Sequence, residues 1–259
     1  MKKTLLPFLL ISTLAIGQTT VAPAPVVAPK VETIALNPFW PADGQFPVPG
    51  RTSSWSGFRA KNVERRSLFA ARRTLDQDAI VFVGDSITEG WKTLEQDFAD
   101  IGVKVANRGI GGDTTPNLIY RLEEDVLSLH PRALVILIGT NDLGEHTTPA
   151  QIADNLRELH RRIRAEYPKI PIAWCQVMPR KGDDTYPERI RDLNTRIAEL
   201  VKSDPDVTLV DTFSPLALAD GSSKPENYVP DRLHLNPAGY QTWRAAVHPV
   251  VQSWKLGSE

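Results

Sequence analysis

The feature that most restricts the fold is a set of short, almost uninterrupted apolar runs, two of which stop dead at a glycine. Ala79–Val83 ends at Gly84 and Ala133–Ile138 ends at Gly139. Ile170–Val177 and Val207–Val210 are two more, and Val103–Ala106 is a weaker fifth. Runs this apolar predict strands buried on both faces, as in a parallel sheet. The gaps between them carry helical periodicity. Leu118, Leu122, Val126 and Leu129 recur at three- and four-residue steps, as do Ile152, Leu156, Leu159 and Ile163. Ile190, Leu193, Ile197 and Leu200 follow, then Tyr240, Trp243, Val247 and Trp254. Pro116, Pro149, Pro187 and Pro237 stand where first helical turns should begin, and Pro249 is expected to kink or shorten the last helix. Alternating strand and helix predicts a doubly wound α/β domain with about five parallel strands.

The chain ahead of this pattern reads differently. Lys2 and Lys3 precede an apolar stretch, Leu5–Ile16, that is shorter than the roughly 20 residues needed to span a bilayer. With Ala15 and Gly17 as small residues at a cleavage point, residues 1–17 have the form of a secretory signal peptide; an uncleaved N-terminal anchor is the alternative. Thr19–Pro29, rich in Ala, Val and Pro, reads as an extended linker. Residues 31–60 have no clear period and are expected to be irregular chain leading into a helix near Val63–Arg73. The expected organisation is therefore 1–17 signal, 18–60 linker and lead-in, and 61–259 folded domain, with the protein secreted or periplasmic and without stable membrane insertion after cleavage. The 30 basic and 31 acidic side chains leave a net charge of −1, which offers no general attraction for nucleic acid or an anionic membrane. The single cysteine, Cys175, excludes an internal disulfide and a multi-cysteine zinc site. Nothing in the sequence sets an oligomeric state.

Ligands of open parallel sheets bind beyond the carboxyl ends of the strands. Four segments fall there: Gly84-Asp85-Ser86, Asn107–Asp113, Gly139–Asp142 and Met178-Pro179-Arg180. The glycines at 109, 111 and 112 do not make G-x-G-x-x-G, because Thr114 occupies the third glycine position, and no phosphate-binding P-loop exists. Ser86 after a strand reads by itself as an N-cap, with a nucleophile as the alternative, and Thr88 breaks the G-x-S-x-G pattern. Asp231 and His234, three residues apart in a polar loop, allow a carboxylate to fix an imidazole tautomer and leave the other ring nitrogen as a base. Among the other histidines, His160 lies among arginines on a helix, while His130 and His248 each precede a proline. His146 follows the Gly139–Asp142 loop but has no partner as well spaced. The Asn141 amide is either a turn residue or a donor to a developing oxyanion.

In this order, Gly84-Asp85-Ser86, Gly109–Asp113, Gly139-Thr140-Asn141-Asp142 and Asp231-x-x-His234 resemble the SGNH (GDSL-type) hydrolases. Val81–Thr88 and Asn107–Thr115 look especially like the catalytic subunits of platelet-activating-factor acetylhydrolase and their bacterial relatives. The resemblance runs from about Asp78 to Val251. It implies a three-layer α/β/α flavodoxin-like fold and a serine esterase that needs no metal or organic cofactor. Carried over to this sequence, it makes Ser86 the nucleophile, His234 the general base and Asp231 its orienting partner. The implied oxyanion hole comprises the Ser86 and Gly112 backbone N–H groups and the Asn141 amide; Gly112 is chosen because the family's donor glycine directly precedes the Asp matched by Asp113. Trp91, Arg180, Tyr228 and Val229 are candidate substrate-binding residues. Export and the lack of a long apolar lid favour a short-acyl ester, acetyl above all, on a carbohydrate. The alternatives are a small lipid or phospholipid-like ester, an extracellular glycan O-acyltransferase using the same triad, and a non-catalytic glycan-binding relative.

Overall fold

In the computed structural model, which describes residue 41 and residues 44–257, every one of the five apolar runs contributes a strand to one parallel sheet. In chain order the elements are α1 (Phe58–Arg72), β1 (Ile80–Gly84), α2 (Ser86–Glu89), α3 (Leu94–Asp97), β2 (Val105–Gly109), α4 (Thr115–Asp125), β3 (Ala133–Leu137), α5 (Thr140–Gly144), α6 (Pro149–Glu166), β4 (Ile172–Cys175), α7 (Tyr186–Val201), β5 (Val207–Val210) and α8 (Pro237–Ser253). Short 3₁₀ turns fill some connections. The expected signal peptide and the Thr19–Pro29 linker lie outside the described residues. No helix among the described residues is long and apolar enough to cross a membrane.

The sheet runs β2-β1-β3-β4-β5, parallel throughout. The chain goes outward from β1 to β2, then returns across β1 to β3. The carboxyl ends of β1 and β3 therefore flank a topological switch, where a crevice opens. Alternation along the strands divides the core in two. Val81, Val83, Leu134, Ile136 and Trp174 pack with Leu118, Leu122, Leu156 and Leu193 from α4, α6 and α7. Ile80, Phe82, Val135, Ala173 and Cys175 face the opposite way, against Trp91, Phe98, Trp243 and Val247. Helices thus cover both faces, which makes three layers.

Two expectations need correction. The helix expected near Val63 begins at Phe58, because Phe58 forms a small buried cluster with Phe69 and Ile110; a boundary at residue 61 therefore cuts through α1. Pro249 does not end α8, which runs to Ser253. The donor that Pro249 lacks would have served the carbonyl of Ala245; both residues are exposed, and buried Val247 and Val251 hold the helix down on the other side.

Candidate active site

Leaving β1, the chain turns at once into α2. Asp85 caps that helix, its Oδ1 accepting the Ile87 N–H at 2.9 Å. Ser86 is the first helical residue, so its own N–H has no carbonyl within the helix. The helix lies hard on the end of β2: a Cβ on Gly109 would collide with the backbone nitrogen of Glu89, and Asn107 Nδ2 donates to the Thr88 carbonyl at 2.6 Å.

His234 arrives from the far end of the chain, on the loop before α8. Bridging of Tyr228 to Leu235 and a Val229 N–H bond to the His234 carbonyl, 2.9 Å, close this loop, and Arg232 turns it through a left-handed backbone (φ 58°). Asp231 Oδ1 accepts the N–H groups of Leu233 and His234, each at 2.9 Å. Its Oδ2 lies 2.6 Å from His234 Nδ1, and His234 Nε2 lies 2.9 Å from Ser86 Oγ. Burial alone would raise the Asp231 pKa, but the His234 ring and these backbone donors outweigh it and hold the carboxyl below its ordinary range. A carboxylate only accepts, so Nδ1 carries the proton and Nε2 accepts from the serine hydroxyl. Residues 148 positions apart thus form one hydrogen-bonded chain.

The three glycines after β2 have different employments. The Gly109 N–H donates to Asn107 Oδ1 at 3.0 Å and the Gly111 N–H to Glu89 Oε2 at 2.6 Å. Gly112, at φ 83°, has its N–H engaged by no acceptor among the described residues. Asn141, on α5 beyond β3, spends one amide hydrogen on the Asp113 carbonyl at 2.9 Å, which fixes the plane of the amide and leaves the second hydrogen available. Arg121, fully buried, ties the backbones behind these donors together. Its guanidinium bonds to Asp113 Oδ2 at 2.8 Å and to the carbonyls of Gly84 and Arg108 at 3.2 and 2.9 Å. Arg121 and Glu89 escaped the sequence reading. The i,i+4 spacing of Arg121 and Asp125 suggests a local pair, yet Asp125 goes to Arg66 instead.

Two further carboxyls are sealed beneath the site. Burial pushes Asp85 up to about 7, against the Ile87 N–H bond, and Asp113 and Asp142 raise it further. Burial likewise pushes Asp142 up to about 7, although Thr115 donates to it through both N–H and Oγ. A folded-state value above the unfolded 3.8 means that the folded protein holds more protons between about pH 4 and 7. The stability contributed by the neutral carboxyl is complete below pH 4 and lost as pH rises through 7, at most about 1.4 kcal/mol per unit for each group. Asp85→Asn, which retains a capping oxygen, is therefore expected to raise Tm at pH 8 by more than it does at pH 5; an equal change at both values would contradict this account of Asp85.

The expected substrate-binding residues separate. Trp91 is a buried core residue, edge-on to Phe82 and Phe98 and tilted against Trp243, with its Nε1 donating to Asp97 at 2.7 Å; what little it exposes borders a different cavity, beside Arg65, Glu89 and Asn107. Tyr228 is also buried, its hydroxyl donating to the Pro179 carbonyl at 2.7 Å. In both cases a large aromatic ring near the site in sequence satisfied the core rather than the cavity. Val229 is half-buried and serves through its backbone, as described above. Arg180 does border open space: it helps line a cavity of about 530 Å³ with Lys181, Asp183, Glu188, Arg191 and Arg232. Its Nη1 donates to the Thr140 carbonyl at 3.2 Å, next to Asn141, and the Lys181 N–H donates to the Arg232 carbonyl at 2.9 Å. The cavity thus adjoins both the Asn141 and His234 loops. Of the other histidines, His160 pairs with Asp204 and His248 with Asp100, His130 bonds Gln77, and His146 is exposed. No cluster among the described residues is fit to hold a metal ion.

Residues 82–242 match the model of the GDSL-like lipase/acylhydrolase family. The chain is 27% identical over 194 residues to the alpha1 subunit of platelet-activating factor acetylhydrolase IB from Bos taurus, covering 71% of this chain and 79% of that one. Among solved structures it is similar to a GDSL-like lipase from Bacteroides thetaiotaomicron, with a TM-score of 0.62, 25% identity, and coverage of 72% and 98% of the two chains. It is also similar to an acetylxylan esterase from Geobacillus stearothermophilus, with a TM-score of 0.55, 21% identity, and coverage of 67% and 94%.

Proposed function

The chain belongs to the GDSL-like lipase/acylhydrolase family, a family of ester hydrolases, and from that premise we propose that it is a secreted or periplasmic serine esterase that removes short acyl groups, acetyl above all, from carbohydrate. The observation that carries the chemistry is the continuous path Asp231–His234–Ser86, at 2.6 and 2.9 Å. Ser86 Oγ attacks the ester carbonyl as His234 Nε2 takes its proton, and Asp231 stabilises the resulting imidazolium. The Ser86 and Gly112 N–H groups and the Asn141 amide receive the oxyanion. The imidazolium then protonates the leaving alcohol, and water, activated by the same nitrogen, releases the acid from the acyl-enzyme.

The preference for acetyl draws support from the acetylhydrolase relatives. The likeness to the acetylxylan esterase is one of fold and is not used to assign the substrate. The preference for carbohydrate rests on the cavity that Arg232, two residues before His234, helps to line: its walls are charged and hydroxylated, which suits a polyhydroxylated alcohol better than an acyl chain. The name of those same relatives favours a second reading, a small phospholipid-like acetyl ester. Export rests on residues 1–17.

The test is a series of p-nitrophenyl esters of increasing acyl length, followed by acetate release from acetylated oligosaccharides and from an acetylated phospholipid. Kcat/KM is expected to fall by at least about tenfold between the acetyl and octanoyl esters, and the oligosaccharide to be the better natural substrate. Faster turnover of the octanoyl ester removes the short-acyl reading, and acetate release from the phospholipid alone removes carbohydrate.

A further inference from the structure

Residues 44–57 precede the span that matches the family model, yet they are fastened to the elements that present the oxyanion donors. Asn155 Nδ2 donates to the Pro49 carbonyl at 2.8 Å and to Thr115 Oγ1 at 2.9 Å. The N–H and hydroxyl of Ser54 both donate to Glu145 Oε1, at 2.6 and 2.9 Å, just beyond α5. Phe46 meets Tyr120 of α4 edge-on, with ring centroids 5.7 Å apart. Ser53 and Phe58 lie directly behind Gly112, where an added Cβ would come within 3.2 Å of Ser53 Oγ and 2.8 Å of the Phe58 ring.

Within this fastened strap one large apolar side chain is left in water. Trp55 is 52% exposed, although its ring rests on Gly57 at the start of α1. Its chain neighbours in Thr52-Ser53-Ser54-Trp55-Ser56-Gly57 are small and polar, and part of the ring stays uncovered. The Gly57 carbonyl accepts the Lys61 N–H at 3.0 Å, one helical turn, about 5.4 Å, further along. Lys61 Cγ and Ser86 Cβ each lie 3.8 Å from the point that a Cβ on Gly111 would occupy. The indole therefore rests on the residue one helical turn before Lys61, whose side chain borders Gly111 as Ser86 does.

We propose that Trp55 is a carbohydrate platform of the active site: a pyranose ring of the substrate chain lays its C–H face on the indole while a neighbouring sugar presents its ester to Ser86. The proposal deepens, and rests on, the carbohydrate reading given above. A flat ring with an apolar face and a hydroxylated rim matches a lone aromatic surface bordered by serines and charges, whereas a lipid surface calls for a contiguous apolar patch. The anchors to Asn155 and Glu145 keep the platform at a fixed place beside the oxyanion loop.

Two measurements on the full chain test this. In Trp55→Ala, the ratio of kcat/KM on acetylated xylotetraose to that on p-nitrophenyl acetate is expected to fall at least about tenfold, with the loss in KM, and Trp55→Phe should stay within about threefold of wild type. Independently of turnover, unacetylated xylohexaose should quench tryptophan fluorescence in the wild type and not in Trp55→Ala. An unchanged ratio in Trp55→Ala, no quenching in the wild type, or quenching that survives the substitution overturns the proposal. Quenching through Trp55 with no acetate release from any acetylated sugar would instead leave the platform standing and refute the substrate reading.

Discussion

Ser86→Ala is expected to lower kcat on p-nitrophenyl acetate by at least about 10⁴-fold while moving Tm by less than about 2 °C. The two effects separate because of where the hydroxyl sits. Its hydrogen bond goes to His234 Nε2, and Ser86 is a half-buried first residue of a short helix, where alanine fits without strain. No cavity forms and no buried polar atom of the core loses a partner. The oxyanion donors survive the substitution, so some acceleration over the solvent reaction should remain. His234→Ala should cost nearly as much, and the double variant little more than either single one, because both residues serve the same proton transfer. Residual activity above about 1% in Ser86→Ala would remove the serine from its role. Losses that multiplied in the double variant would mean that Ser86 and His234 act in separate steps.

The sheet was open to reading because a strand covered on both faces can hardly avoid being apolar: Val81, Phe82 and Val83 point alternately into two cores, and no other pattern would satisfy both. Helices long enough to show an apolar stripe were legible for the same reason. The four-residue helix α3 was not, since one turn has no period to detect. The motif residues Ser86, Asn141, Asp231 and His234 were visible through their order along the chain, and their meeting depends on the switch between β1 and β3, a property of the whole sheet. Trp91 and Tyr228 misled because proximity in sequence to a site says nothing about which way a ring turns; for a large aromatic ring the interior is the stronger attraction. The strap at 44–57 lacked any signal, because single hydrogen bonds to Asn155 and Glu145 leave no pattern in its own residues. The buried ions were hidden for a further reason. Arg121 has an acidic residue four positions on, and only the folded arrangement shows that it turns instead to Asp113.

Arg121 is where the second large effect is expected, this time on stability and turnover together. Its guanidinium is enclosed, with the face of Phe69 5.9 Å away, and it is the cation opposite Asp113. Burial pushes Asp113 up to about 6 even with Arg121 drawing it down. In Arg121→Met the carboxyl loses that cation and two backbone carbonyls lose a donor, an uncompensated burial that should cost about 3–5 kcal/mol. For a domain of this size that corresponds to a fall in Tm of roughly 6–20 °C. Arg121→Lys restores the charge without the planar fork that reaches Asp113, Gly84 and Arg108 at once, so it should recover only part of the loss. Asp113→Asn added to Arg121→Met removes the stranded carboxylate and should return at least about 1 kcal/mol of stability. It should not restore kcat, because the Gly84 and Arg108 carbonyls remain untied, and with them the registry between the Ser86 turn and the loop that carries Gly112 and the Asn141 anchor. Measured in the folded fraction, kcat of the double variant should stay at least about tenfold below wild type with KM little changed, the pattern of an interaction made only in the transition state. If stability and kcat recovered together, Arg121 would be no more than the counterion of Asp113; if Arg121→Met cost less than about 1 kcal/mol, the buried pair would not be holding these strand ends at all.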